Sequence, residues 1–480
     1  MKLIWSLLLL ASSSLQTSSH NGPSDNPTFK KGQYTIRPQN KTTCHTYNEK
    51  QWTGTVDISD KRRLFYWFFD SRSNPETDPI LIFLSGGPGA SSMNALFQEL
   101  GPCLVSPSNT STPRPTSFNN AASVLFIDQP AGVGFSQIHP SSPYVQTDQE
   151  AAADLATFLT LFFKNVFPGR AHLPIHFAGE SYAGHYVPST VKHILDERSV
   201  NARDAFWGNI TSVVLVSPVL VDYQIYYGLY QLMCTTYRGH SVRWNESTCS
   251  LVERKTPAFD VMQVQCDAGN ISTCRDLGDK YLDVWGILAD EEDAGIRDTH
   301  NVDRGCKDPP LCTPPTQGSY NDYLNKPAIL SSLGFSKDFE FSFANGKASS
   351  AFRTSGSAYT PMTDVLTSVL DAHVLYEHQK SPIRVLVLNG NLDGTCSTPG
   401  QKWAWERIPW TGASWYRSQA WRELKELGVG MGQDGKGGEW KVSKGGELLF
   451  IGLDGAGHMV PMDEGGLTDR IVRRWIGGWS

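Results

Sequence analysis

With 480 residues, 40% hydrophobic and 19% charged, the chain is globular in composition and long enough to bury a large core, which excludes a disordered protein. Forty-two basic against 48 acidic residues give a net charge of −6, and no Lys/Arg run is long enough to grip phosphates, which excludes nucleic acid as a partner.

The N-terminus, MKLIWSLLLLASSSLQTSS, sets one Lys before an apolar run from Leu3 to Leu10 and then small residues. This predicts a secretory signal over residues 1–19, cleaved between Ser12 and His20, whose apolar run is too short to span a bilayer. No later segment reaches transmembrane length, so a secreted or vacuolar protein without a membrane partner is expected. Sequons at Asn40, Asn109, Asn209, Asn245 and Asn270 fit that route and mark candidate N-glycan sites. Nine cysteines in an exported chain imply disulfides with one left over. Cys234, Cys249, Cys266, Cys274, Cys306 and Cys312 crowd together at irregular spacings without His partners, which argues against zinc, while Cys44, Cys103 and Cys396 lie outside that stretch.

After a polar segment, Leu64–Phe69 is a β-prone run, and Pro79–Leu84 reads as a buried parallel strand ending in the loop Ser85-Gly86-Gly87-Pro88-Gly89. Ser123–Asp128 repeats the pattern, followed by Gln129-Pro130-Ala131-Gly132-Val133-Gly134. Thr147 and Glu150 form a capping box before apolar residues at helical spacing, which predicts a helix over 148–166. Pro174–Ala178 and Ser212–Val216 are further strands. Strands alternating with helices predict a mainly parallel sheet with helices on both faces. From Asp222 to His373 cysteines, prolines and short helices dominate, as in an inserted cap. The sheet resumes at Ile383–Leu388, Trp421–Leu427 reads as a helix, the Gly-rich run 428–447 as a hairpin turn region, and Glu447–Leu453 as the last strand. The expected division is a signal over 1–19, a core over 20–221, a cap over 222–373 and the rest of the core over 374–480.

Between the strand at 174–178 and the next helix, Gly179-Glu180-Ser181-Tyr182-Ala183 has the G-x-S-x-small pattern of a nucleophile elbow. Small residues two before and two after Ser181 let the chain reverse sharply and lift the hydroxyl above the sheet edge, at a helix N-terminus. The pattern alone also occurs in ordinary loops. Its partners decide: Asp393 and His458 each follow an apolar strand by a few residues, in the chain order Ser, acid, His of an α/β-hydrolase. Ser181 would attack a carbonyl, His458 would take its proton and later protonate the leaving group, and Asp393 would fix the imidazole tautomer.

With those residues assembled, the chain resembles the serine carboxypeptidases, especially their secreted fungal branch, through SGGPGASSM (85–93), DQPAGVGFS (128–136), GESYAGHY (179–186), YLNKP (323–327), NLDGTC (391–396) and GAGHMVPMD (455–463). The resemblance implies an α/β-hydrolase fold with an inserted disulfide-rich cap, release of C-terminal amino acids from peptides, and no metal or cofactor. It implies an oxyanion hole from the N–H groups of Gly87 and Tyr182, and a substrate-carboxylate site from Ser85, Gly86, Glu99 and Glu180, the two glutamates sharing a proton in acid. The chain departs from the family's commonest pattern in having Ser85 for Asn, Phe83 for Trp and Ala90 for a disulfide cysteine. The resemblance also implies that Cys396 is a free thiol, leaving eight cysteines for four bridges; the residues by themselves leave a Cys396 bridge to Cys103 or Cys44 open. The rival readings are an acyltransferase or esterase on the same scaffold, and an inactive secreted binding protein.

Overall fold

The continuous apolar runs form strands of a 12-stranded sheet because a parallel strand covered on both faces must be apolar on both. In this computed structural model, which describes residues 28–479 apart from 201, 202, 308, 310, 311, 313 and 315, parallel strands stand side by side in the order Ser123–Asp128, Ile80–Leu84, Pro174–Glu180, Asn209–Val216, Arg384–Gly390, Leu448–Leu453. Antiparallel strands extend both sides. Arg62–Phe69, Gln51–Asp57 and Arg37–Gln39 follow on from Ser123–Asp128, and Gly438–Val442 and Arg422–Glu423 follow on from Leu448–Leu453.

Alternate side chains supply two cores, one on each face. Ile80, Ile82 and Leu84 join Phe177, Leu215, Val387 and Phe450 in one. Leu81 and Phe83 join Ala178, Val214, Leu386 and Leu449 in the other. The register aligns the strand ends: Leu84 lies opposite Gly179, Glu180 opposite Val216, and Gly390 opposite Leu453. The loops that follow therefore leave one edge of the sheet, which is what brings together residues far apart in the chain.

Between Val216 and Arg384 no described residue adds a strand to this sheet. The segment is helical but not uniformly short: Ile271–Asp293 is a 23-residue helix, capped by the Asn270 side chain on the Thr273 N–H. Its buried stripe of Cys274, Leu277, Tyr281, Val284, Trp285 and Leu288 runs at helical spacing among Asp and Lys. Disulfides join Cys44 to Cys103, Cys234 to Cys249, Cys266 to Cys274 and Cys306 to Cys312, and Cys396 is the free cysteine among the described residues. Cys44 and Cys103 thus pair with each other rather than with Cys396.

Several expected boundaries move. The helix predicted over 148–166 is α-helical over Asp148–Leu161 and continues as a π-helical turn over Phe162–Val166. There Phe162 packs among Tyr66, Phe68, Phe158 and Phe167, and the Phe162 carbonyl accepts from the Phe167 N–H. Thr147 caps the Glu150 N–H as predicted, but Glu150 reaches back one residue further, to the Gln146 N–H. Trp421–Leu427 is not an α-helix. Arg422–Glu423 pairs with Glu439–Trp440, and only a 3₁₀ turn follows over Leu424–Leu427, because burial of Leu424 and the edge contact of Trp421 with Phe450 override local propensity. The Gly-rich run conceals the strand Gly438–Val442. The expected signal segment lies outside the described residues, and among the described ones no helix is long and apolar enough to cross a membrane.

Candidate active site

Ser181 sits at φ 60°, a left-handed conformation that is strained for any residue with a Cβ, between the strand Pro174–Glu180 and the helix Ala183–Val200. The small residues around it face each other: a Cβ on Gly179 would lie 2.5 Å from the Ala183 Cβ. Gly86 crosses close above, where a Cβ would come 2.3 Å from the Tyr182 nitrogen. No larger residue fits at either position, so the Gly-rich loop after Leu84 can lie directly on the elbow. The Ser181 N–H donates to the Val216 carbonyl at 3.0 Å, which fixes the turn to the neighbouring strand end.

Asp393 and His458 meet above the same edge. His458 Nδ1 and Asp393 Oδ2 are 2.9 Å apart, and the other Asp393 oxygen accepts from the Thr395 and Cys396 N–H groups at 2.8 Å each. Asp393 is fully buried and so must stay in this arrangement. The main chain of His458 is held on both sides: its carbonyl accepts from Ser217 Oγ at 2.9 Å and its N–H donates to the His300 carbonyl at 2.6 Å. Ser181 and His458 therefore share the Val216–Ser217 corner as an anchor. Among the described residues no hydrogen bond joins Ser181 Oγ to His458; in resting enzymes such contacts are often loose and tighten with substrate.

Ser85, Gly86, Glu99 and Glu180 are also brought together. Glu99 ends the π-helical turn Ala95–Glu99 and is fully buried. Glu180 immediately precedes Ser181, and the two carboxyl groups hydrogen-bond to each other. Burial, then the Glu99 charge and that hydrogen bond, push the Glu180 carboxyl well above the usual carboxylate range. Burial also raises Glu99, against the Glu180 hydrogen bond and the His458 and Arg114 charges. Both carboxyls are raised, so the pair as a unit keeps a proton above the usual carboxylate range. Among the described residues Ser85 Oγ, Glu99 Oε2 and Glu180 Oε2 are buried without a hydrogen-bond donor or acceptor of their own. Burying such groups unpaired is costly, which favours a polar ligand that completes them. Among the described residues no main-chain hydrogen bond uses the Gly87 or Tyr182 N–H.

Cys396 is adjacent, as the resemblance implied, but fully buried. Burial, then the Asp393, Glu180 and Asp222 charges, push its thiol well above the ordinary range, so thiolate is scarce. Cys396 is expected to be the one thiol titrated, but slowly by maleimide in the native protein and fast after unfolding, with activity lost in step with native labelling. Peptide mapping that finds Cys396 in a disulfide, or labelling as fast as for a free exposed thiol, contradicts this.

Two supports were not singled out from the sequence. Asp128, in the second Gly-rich stretch, accepts from Ser91 Oγ at 2.6 Å, the Ser92 N–H at 2.9 Å and the Phe135 N–H at 2.8 Å. Burial pushes it up to about 6 in spite of those bonds. It ties the 85–93 and 128–136 loops together, and an Asp closing an apolar strand before a Gly-rich loop was the available signal. The other is the 298–304 segment over the His458 loop, for which irregular sequence offered no signal.

Residues 38–478 match the family model described as serine carboxypeptidase. The chain is 33% identical over 440 residues to the carboxypeptidase Y homolog A of Talaromyces stipitatus, covering 90% of this chain and 73% of that protein. It is 32% identical over 431 residues to that of Aspergillus niger, covering 89% and 72%. Among solved structures, Kex1Δp, a prohormone-processing carboxypeptidase from Saccharomyces cerevisiae, superposes with a TM-score of 0.71 over 89% of this chain and 91% of that one, at 19% identity, so the α/β-hydrolase fold is shared. With a match from one end of the sheet to the other, the chain belongs to the serine carboxypeptidases.

Proposed function

We propose that the carboxypeptidase reaction runs on Ser181, Asp393 and His458. Ser181 Oγ attacks the carbonyl of the last peptide bond while His458 Nε2 takes its proton, and Asp393 holds His458 Nδ1–H. The developing oxyanion accepts from the Gly87 and Tyr182 N–H groups. His458 then protonates the departing amine, the C-terminal amino acid leaves, and water, deprotonated by His458, hydrolyses the acyl ester and frees Ser181. The C-terminal carboxylate is held by Ser85 Oγ, the Gly86 N–H and the proton of the Glu180–Glu99 pair.

The observation that carries this reading over an esterase or an acyltransferase is the buried Glu99–Glu180 pair directly beside the elbow serine, whose carboxyls burial pushes up, and the His458–Asp393 pair at 2.9 Å supports activity over an inactive binding protein. An ester has no use for a buried proton donor aimed at an anion. Incubation of a mixed peptide library with free and amidated C-termini, read by mass spectrometry, should show stepwise loss from free ends only. Hydrolysis of small esters with no trimmed peptide would reverse the choice.

Ser85→Asn tests the carboxylate site, since Ser85 Oγ is buried and unpartnered. KM for free-carboxylate peptides is expected to fall, by about tenfold at most for a gain of about 1.5 kcal/mol from one hydrogen bond to a charged group. An equal change for amidated peptides would show that position 85 does not read the carboxylate.

The division into a core and a 222–373 cap is part of the same proposal, as is export. Asn40, Asn209, Asn245 and Asn270 are exposed, which supports glycosylation there, whereas Asn109 is half-buried. Asn245 and Asn270 cap helices through Oδ1, leaving Nδ2 for a glycan.

A further inference from the structure

The segment from Asp298 to Arg304 lies across the loops that carry both the acid and the base. The Val302 N–H donates to the Leu392 carbonyl at 3.0 Å and Thr395 Oγ1 to the Thr299 carbonyl at 3.3 Å. On the other side the His458 N–H donates to the His300 carbonyl at 2.6 Å. The fit leaves no slack: a Cβ on Gly457 would lie 2.0 Å from the His300 oxygen, and one on Gly394 would lie 2.8 Å from the Thr299 oxygen.

Two side chains tie this segment to the base loop, both through Asp463. Arg304 donates through Nε to Asp298 Oδ2 at 2.9 Å and through Nη1 to Asp463 Oδ1 at 3.0 Å. The second Asp463 oxygen accepts from the Gly457 N–H at 2.8 Å and from Asn301 Nδ2 at 3.0 Å. Asp298, at the start of the segment, also accepts the His300 N–H at 2.8 Å. We propose that Arg304 is a positioning residue for His458: by bridging Asp298 of the cap and Asp463 behind the base loop, it seats the His300 carbonyl on the His458 N–H, so that the cap helps to orient the base.

On the Asp298 side the charges of the bridge reinforce one another. Burial alone would raise Asp298, but the His300 hydrogen bond and the His300 and Arg304 charges outweigh it and hold the carboxyl below its usual range. Burial would lower Arg304, but the Asp298 and Asp463 charges hold the guanidinium up. His300 is raised in spite of burial by Asp298, Glu292 and Asp393. Glu292, Asp298 and His300 are close enough together to suggest a metal site, with ligand atoms within 4.8 Å of one another. The acids are already occupied, however: Glu292 Oε2 accepts the Thr299 N–H at 2.7 Å, and Arg304 supplies the cation beside Asp298. The need for a clamp follows from the loop itself. Gly455, at φ 83°, and Gly457 leave the chain before His458 soft, and a misplacement of about 1 Å can cost on the order of a hundredfold in rate.

The inference rests on the triad reading, and labelling of wild-type Ser181 by an active-serine phosphonate tests that reading separately. Arg304→Met, Arg304→Lys and Asn301→Ala are compared by kcat and KM on a blocked dipeptide and a neutral ester, by phosphonate labelling rate, by thermal midpoint and by the low-field proton resonance of His458 Nδ1. For Arg304→Met, kcat and labelling rate should fall by about tenfold or more, KM should stay within about threefold, and the resonance should broaden. Lys restores part of the loss, because an ammonium cannot fork across two carboxylates. Asn301→Ala, which removes a neutral hydrogen bond and keeps every charge, should lose a few-fold in kcat and carries the test if Arg304→Met does not fold. A folded Arg304→Met with kcat within twofold of wild type overturns the inference, as does a change in KM alone, which would make the segment a substrate wall. A folded Asn301→Ala with unchanged kcat overturns it too. Absence of phosphonate labelling in the wild type would instead sink the triad.

Discussion

Ser181→Ala should abolish peptide and ester turnover, lowering kcat by on the order of 10³-fold or more, while the protein folds and binds peptides as before. The effect is local to the elbow. Ser181 is only partly buried, its side chain is not part of either core, and the turn is held by main-chain bonds from Ser181 N–H to Val216 and from the Val219 N–H to the Ser181 carbonyl at 2.9 Å, which alanine keeps. The positive φ is no worse for alanine than for serine. A thermal midpoint within a few degrees of wild type and an unchanged peptide Kd are therefore expected beside the lost kcat. Activity within tenfold of wild type would sink the assignment of the nucleophile.

The second large effect is on the pH dependence of KM. The Glu180 carboxyl is held well above its usual range by burial, the Glu99 charge and the bond between them, so the pair keeps one proton into mildly acidic solution. With that proton the pair donates to a substrate carboxylate; once fully ionised it repels it. Peptide KM should rise as pH rises through the upper apparent pKa of the pair, while KM for a matched neutral ester should not. Stability follows the same sign. A carboxyl raised above its unfolded value contributes stability that is present below that value and lost as pH climbs through the folded one. Glu180→Ala removes a hydrogen bond to a charged ligand, worth about 1.5–3 kcal/mol, and should raise peptide KM by tenfold to a hundredfold in acid. Glu180→Gln keeps a donor of similar volume, so it should lose less and give a peptide KM nearly flat with pH. A glutamine variant whose peptide KM still climbs like wild type would show that this pair does not control recognition of the carboxylate.

Much of this was legible in the chain by itself, for reasons that can be named. A parallel strand buried on both faces has to be an unbroken apolar run, so Ile80–Leu84, Ser123–Asp128 and Leu448–Leu453 announce themselves. A nucleophile at a positive φ needs small neighbours, so Gly179 and Ala183 flag Ser181 before any contact is known. Acid and base follow strand ends, so Asp393 and His458 could be picked from sequence order. Features set by contacts between distant segments were not legible. Arg422–Glu423 pairs as a strand only because Glu439–Trp440 lies beside it. Asp298 and Arg304 sit in an irregular stretch whose charges look like surface until folding stacks it on Leu392 and His458. Local pattern gives Glu99 no distinction, and only the family resemblance singles it out; burial beside Glu180 supplies the physical reason that the two share a proton. Local sequence determined the strands, the elbow and the order of the catalytic types, because those depend on periodicity and backbone sterics. The tertiary structure decided that two carboxyls are buried together with a proton between them, that the free thiol is hidden and what steadies the base, because these depend on desolvation and on partners that the chain brings together only when folded.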